Sequence, residues 1–238
     1  MLPYNRALHP SDYDHPDLKP HIAAIDGFER TLQGIWYRKD HLHRAWEYGN
    51  CIRQMAELFP SGARLLIHDT GSGGSYWPLY LKKAGHEVSV SDSLAYGGNS
   101  LKMLISQCLK LKIRIPFKQE PVERLVSYSD NAFDVTCCVS VIEHVQPEAY
   151  EQAWRELCRV TKPGGYLFVT SDYFVSTAQG DSSPHRRIQH NRLTRERVEE
   201  IPTMIPASFV GGADLTYRGD WVNNYSFINL CLQKQKAT

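Results

Sequence analysis

Residues 65–75 read LLIHDTGSGGS, an apolar run that ends in Asp69 and passes at once into glycine and serine. A short apolar run bounded by Gly and Ser is a strand signal. A glycine-rich turn at the mouth of a strand lets backbone approach a ligand where a Cβ would collide, and in open α/β sheets ligands settle beyond the carboxyl ends of the strands. Gly71, Gly73 and Gly74 therefore predict a ligand pocket at this turn. A Gly-Ser turn alone is also ordinary loop chemistry, so the reading depends on what surrounds it.

From Ala63 onward, β-rich runs alternate with helical ones: RLLIHD, a helix from about Tyr76 to Ala84, HEVSVSD, a helix around Leu101 to Leu111, IRIPFK, FDVTCCVS, a helix from about Glu148 to Thr161, then GYLFVTSD. That rhythm predicts right-handed βαβ units on a parallel sheet. In KPGG, Pro163 and Gly164 suit a type II turn and Gly165 adds room. After Asp172 the alternation stops. Residues 173–192 read as a lid loop, Thr194 as the start of a helix, and the β-like runs ADLTYRG and YSFINLCLQK as an antiparallel hairpin at the sheet edge. Ahead of the core, a polar, proline-punctuated lead to about Pro20 gives way to two helical patterns. Ile22, Ile25 and Leu32 mark the first; Leu42, Ala45, Gly49, Ile52, Ala56 and Phe59 mark the second, with Asp40 as its N-cap.

Composition limits the function classes. The 238 residues carry 27 Lys and Arg against 26 Asp and Glu, a net charge of +1, so no overall field draws the chain to nucleic acid or membrane. The six cysteines lack paired zinc spacing, and Cys137 and Cys138 lie within an apolar run, so all read as reduced thiols. There is no apolar stretch of membrane-spanning length and no apolar signal core at the N-terminus, and the expectation is a cytoplasmic protein.

A dinucleotide fingerprint anchored at Gly71 and Gly73 would place its third glycine at position 76, where the chain has Tyr76. Asp92 closes the next strand about 20 residues on, where a carboxylate grips ribose hydroxyls. The ligand reads as a nucleoside without a diphosphate.

LLIHDTGSGGS, HEVSVSD, NAFDVTCCVSVIEHV and LCRVTKPGGYLFVT together resemble the first, second, fourth and fifth strand motifs of class I S-adenosylmethionine-dependent methyltransferases, over roughly residues 63–172. The flavour is that of the small-molecule group, methyltransferase type 11-like, whose fourth strand ends in Glu-His-Val. The resemblance implies an α/β, Rossmann-like, seven-stranded and mostly parallel sheet with an antiparallel last strand. Residues 61–238 would form the methyltransferase domain and residues 1–60 an N-terminal helical extension covering the site. S-adenosylmethionine would be held by Asp69, Gly71, Ser72, Gly73 and Gly74 around its methionine moiety, with Asp92 and Ser93 at the ribose. Glu120 and Val122 would lie at the adenine, and Ser140 beside the cofactor.

For catalysis, Glu143 and His144 fall just beyond the fourth strand motif. Imidazole titrates near neutral pH, so His144 is the candidate general base and Glu143 would orient it or bind the acceptor. Some relatives complete a divalent metal site with an acidic residue three before the Glu-His pair. Here that position is Ser140, and no metal is expected. HRAWEYG places Trp46, Glu47 and Tyr48 on a helix that could cover the pocket. HRRIQHNRLTRER, residues 185–197, carries five arginines and points to an anionic acceptor. The resulting expectation is O-methylation of a sugar or other hydroxylated metabolite. An RNA or protein methyltransferase, a nicotinamide-dependent oxidoreductase and a non-catalytic cofactor-binding protein are the alternatives.

Overall fold

The computed structural model of the chain describes residues 1–32, 42–95, 98–175, 191–217 and 226–236. Within them, the strands are β1 (Asn5–Ala7), β2 (Leu66–Thr70), β3 (Glu87–Ser91), β4 (Phe117–Lys118), β5 (Phe133–Val139), β6 (Thr161–Tyr173), β7 (Ala207–Phe209), β8 (Ala213–Asp214) and β9 (Ser226–Lys234). The α-helices are α1 (Lys19–Thr31), α2 (Leu42–Leu58), α3 (Trp77–Lys83), α4 (Asn99–Leu111), α5 (Tyr150–Val160) and α6 (Arg195–Met204). One mixed α/β sheet orders its strands β4-β3-β2-β5-β6-β9-β1-β8, with β7 also on β9. Strands β2 to β6 pair in parallel, and β9 runs antiparallel to β6 over eight residue pairs from Tyr166↔Gln233 to Tyr173↔Ser226.

The Rossmann-like class and the antiparallel last strand stand as expected; the details beyond β6 differ. The described residues give nine strands rather than seven, because the polar lead adds β1, which pairs with both β9 and β8, and Ala207–Phe209 adds β7 on β9. ADLTYRG and YSFINLCLQK do not form a hairpin. β8 pairs in parallel with β1, and β9 lies inside the sheet between β6 and β1. KPGG lies inside β6, where the register slips between Phe133↔Thr161 and Val135↔Tyr166 and Gly164 holds φ 77°. A Cβ on Gly165 would come within 2.8 Å of the Asp134 carbonyl oxygen, so that position does need glycine. The Asp40 cap and most of the proposed lid fall outside the described residues, at 33–41 and 176–190.

The faces of the sheet are buried by the helices. Trp77, Leu79 and Leu81 of α3 and Trp46 and Cys51 of α2 lie with Ile67, Val90 and Cys137 in one cluster. Trp154 and Leu157 of α5 join Cys138, Leu167, Leu230 and Ile201 in a second. Burial of each such side chain contributes about 1.5–3 kcal/mol. The N-terminal lead is fastened by a buried network: Asp12 accepts from Arg6, from Trp46 Nε1 at 2.9 Å and from the His9 amide at 3.0 Å. Trp46 is therefore a core residue, fully enclosed, and not part of a cover over the pocket. No described helix is long and apolar enough to cross a membrane, and none of the six cysteines is disulfide-bonded.

Candidate active site

β2 pairs with β3 on one side and β5 on the other, so the chain reverses its progress across the sheet at β2. Such a switch point opens a crevice at the carboxyl ends of the strands. Two cavities occupy it here, of about 370 Å³ and about 260 Å³, and they share Gly71, Gly73 and Ser140.

The larger cavity is lined by Gly71, Gly73, Asp92, Ser93, Val122, Ser140 and His144, among others. The turn after β2 is built as the glycines predict. Gly71 and Gly73 hold φ 65° and 53°, and a Cβ on Gly71 would run into the Val141 side chain. Asp92 braces the turn, its Oδ2 accepting from the Gly73 amide at 2.7 Å and its Oδ1 from the Leu94 amide at 2.6 Å. Ser93 Oγ accepts from the Ala95 amide at 3.3 Å. Nothing within 3.9 Å would meet a Cβ on Gly73, so its open face belongs to the cavity rather than to protein packing.

The smaller cavity runs from Gly71 through Ser75 to α2, which contributes Arg44 and Tyr48, and to Glu29 of α1. Tyr48 and Ser75 share a 2.6 Å hydroxyl–hydroxyl hydrogen bond, and Ser75 Oγ accepts from the Trp77 amide at 3.0 Å, which seats the start of α3. Ser72 Oγ is buried without a hydrogen-bond partner among the described residues. Arg44 donates to Glu47 at 2.9 Å while about a quarter of its side chain (28%) stays exposed. Burial works to lower its pKa, but Glu47, Tyr48, Glu143 and Asp172 outweigh that and raise it, so the guanidinium stays charged.

Asp69, at the end of β2, is buried. Burial first, then the charge of Asp92, pushes its carboxyl well above the usual range, with Arg44 opposing. A cationic ligand group would relieve that strain. Glu143 is also buried: Ser171 Oγ donates to its Oε2 at 3.3 Å, and its main-chain oxygen accepts from the Asn191 amide at 3.0 Å. Burial raises its pKa against the influence of His144. His144 lines the larger cavity, and Glu143 is in the lining of neither.

Glu120 is placed elsewhere than sequence reasoning expects. Its carboxylate accepts from the Ser127 hydroxyl and from the Ser127 amide at 3.1 Å, and the acidic residue that lines the cavity there is Glu123. A carboxylate pinned by a seven-residue return of the chain is already satisfied. Arg44 is the cavity-lining residue that sequence reasoning passes over. Its signal is a charged pair, Arg44 and Glu47, on the helix face that also carries Tyr48 and Cys51.

Comparison with known proteins adds the decisive observation: residues 68–169, from β2 through most of β6, match the family described as "Methyltransferase domain". Over these residues the chain matches a methyltransferase domain and is similar to class I S-adenosylmethionine-dependent methyltransferases. It is 29% identical over 159 residues to a ubiquinone biosynthesis O-methyltransferase from Bordetella avium, covering 66% of this chain and 63% of that one. The chain thus spans somewhat less than two-thirds of that relative's length. Among solved structures, it is similar to the 1,6-didemethyltoxoflavin-N1-methyltransferase of Burkholderia thailandensis with bound 1,6-didemethyltoxoflavin and S-adenosylhomocysteine (TM-score 0.61, 16% identity, 93% of this chain and 91% of that one). It is equally similar to the [4+2]-cyclase SpnF (TM-score 0.64, 16% identity, 94% of each chain). The methyltransferase fold therefore hosts other reactions, and the reaction must be argued from the site.

The site fits the cofactor of this domain family. A turn with an open glycine face, the Asp92 carboxylate beside it, a buried Asp69 whose carboxyl is pushed above its usual range, a Ser72 hydroxyl unpartnered among the described residues and a charged Arg44 together suit a zwitterionic amino acid joined to a nucleoside. Among the described residues, no three His, Cys, Asp or Glu side chains converge as metal ligands. At position 140 the serine hydroxyl donates to Glu47 Oε1 at 2.6 Å.

Proposed function

We propose that the chain transfers the methyl group of S-adenosylmethionine to an oxygen of a small hydroxylated metabolite, a sugar among the candidates. One observation carries the reading: two cavities meet at Gly71, Gly73 and Ser140, one with Asp92 and His144 in its wall, the other with Arg44. In this reading Asp92 takes the ribose hydroxyls and Arg44 the amino-acid carboxylate, with Asp69 and the turn at Gly71–Gly74 around the ammonium end. Val122 and Ser93 border the nucleoside. The cofactor, when bound, supplies a methyl already activated on a sulfonium, so the protein has to position the acceptor and remove its proton. His144 is the base, and the buried Glu143 next to it in the chain sets its electrostatic surroundings. Residues 1–60 serve as an extension that closes the site through Arg44, Glu47 and Tyr48.

The O-methyltransferase relatives support an oxygen acceptor. The arginine-rich segment gives little support to an anionic acceptor or to RNA. Of its described arginines, Arg195 pairs with Glu199, Arg197 lies over the Tyr150 ring and donates to Asn191, and Arg192 lies over the Phe174 ring.

The test is methyl-label transfer from S-adenosylmethionine to a panel of phenols, catechols and sugars. Wild type should label at least one hydroxyl acceptor. Positioned proton removal contributes about 10²–10⁴-fold, so His144→Ala should lose turnover in that range while still binding S-adenosylhomocysteine. Full turnover in the variant would discard His144 as base, and label transfer confined to nitrogen or carbon acceptors would discard O-methylation.

A further inference from the structure

Glu47 is fully buried on α2, where a charge is costly and must be paired to persist. Its carboxylate ties three elements together. Oε1 accepts the hydroxyl of Ser140, in the turn after β5, at 2.6 Å and the hydroxyl of Thr170, in β6, at 2.6 Å; Oε2 accepts from Arg44 Nη1 at 2.9 Å. Burial works against that charge, and Arg44, His43 and the two hydroxyls outweigh it, holding the carboxyl below its usual range.

The partners are not equivalent. Thr170 is buried in the sheet and serves as an anchor, whereas Ser140 and Arg44 line the cavities. Ser140 is also held in the left-handed region at φ 51°, a conformation a non-glycine residue keeps only where its surroundings over-determine it. They do so here: its amide donates to the Thr170 carbonyl at 3.0 Å and to Thr170 Oγ1 at 3.2 Å, while its hydroxyl is held by Glu47. One buried carboxylate thus fixes a strained residue at the junction of the two cavities and, from its other oxygen, the guanidinium in the wall of the smaller one. An apolar residue at 47 would avoid the desolvation cost, and the arrangement is explained by what it orients.

We propose that Glu47 is a positioning residue of the cofactor site, clamping Ser140 and Arg44 in a fixed relation so that Arg44 faces the carboxylate of the bound amino-acid portion. The proposal rests on the reading of Arg44 given above, and its test separates the two.

Calorimetric affinities are measured for S-adenosylhomocysteine and for 5′-methylthioadenosine, which keeps the nucleoside and the thioether but lacks the amino-acid end. The proteins are wild type, Arg44→Ala, Glu47→Gln and the double variant. Losing a charge-assisted contact should weaken S-adenosylhomocysteine about tenfold or more in Arg44→Ala and about tenfold in Glu47→Gln, with 5′-methylthioadenosine unchanged in both. The double variant should lose no more than Arg44→Ala alone, because residues acting as one unit are not additive. If Arg44→Ala weakens both ligands equally or neither, the reading of Arg44 fails and the proposal with it. If Arg44→Ala is selective but Glu47→Gln is not, or the two losses add, Glu47 does not act through Arg44 and the proposal alone is overturned. Should Glu47→Gln not fold, Thr170→Val removes one hydroxyl anchor and carries the same comparison: a selective loss of about threefold supports the clamp, and none overturns it.

Discussion

His68 stands one residue before Asp69 in the stretch that fixes the fold, yet it is no ligand. Its ring is fully buried, stacked on Phe133 with centroids 5.0 Å apart and tilted against Tyr128 at 4.3 Å, and its two nitrogens meet Ser89 Oγ and Ser91 Oγ, each at 3.1 Å. Burial lowers its pKa from 6.5 to about 3, with a hydrogen bond to Ser89 opposing. A depressed folded-state value means that the unfolded chain binds the proton first. His68 therefore contributes its full stability above about pH 6.5 and loses it progressively as pH falls toward 3, a loss on the order of a few kcal/mol. Urea midpoints from pH 7 to pH 4 should fall more steeply for wild type than for His68→Gln; equal slopes would contradict a neutral buried imidazole. The alternation of the strand makes an inward-facing residue 68 legible, but the hydroxyls that satisfy it come from β3 and cannot be read locally.

At the scale of elements, the turn after β2 and the helix α2 make the site. The turn is the most legible part of the chain, because its glycines answer a local demand: Gly71 must hold φ 65° and leave room for Val141. Gly62 offers a control, since it holds φ 77° with nothing within 4 Å of a Cβ. Gly71→Ala and Gly62→Ala should share a backbone strain of about 1–3 kcal/mol, and Gly71→Ala should cost more stability and also weaken cofactor binding. Chemical denaturation and ligand titration read both; equal stability losses with unchanged binding in Gly71→Ala would show that the turn tolerates a Cβ. In α2 the sequence shows an amphipathic helix, yet not which of its polar residues turn inward. Glu47 pairs locally with Arg44, but its hydroxyl partners come only with β5 and β6, 93 residues along the chain for Ser140 and 123 for Thr170.

Across the whole molecule, what was legible follows from the range of the interactions. Periods of 2 and 3.6 made β2 to β6 and their helices readable, and the order of the motifs gave the sheet its direction. β1 is not legible because three residues, Asn5–Ala7, carry no period, and the pairing of β8 is not legible because its partner lies at the opposite end of the chain, Asn5↔Ala213. The central claim belongs to this scale, since it requires the crevice at the switch point, built from residues between 29 and 146, to hold one nucleoside-bearing amino acid. Isothermal titration of S-adenosylhomocysteine into wild type and Asp92→Ala tests it most directly. The account predicts saturable one-site binding to wild type and a loss of about 10–100-fold in the variant, from removal of charge-assisted hydrogen bonds. An affinity unchanged by Asp92→Ala would contradict it.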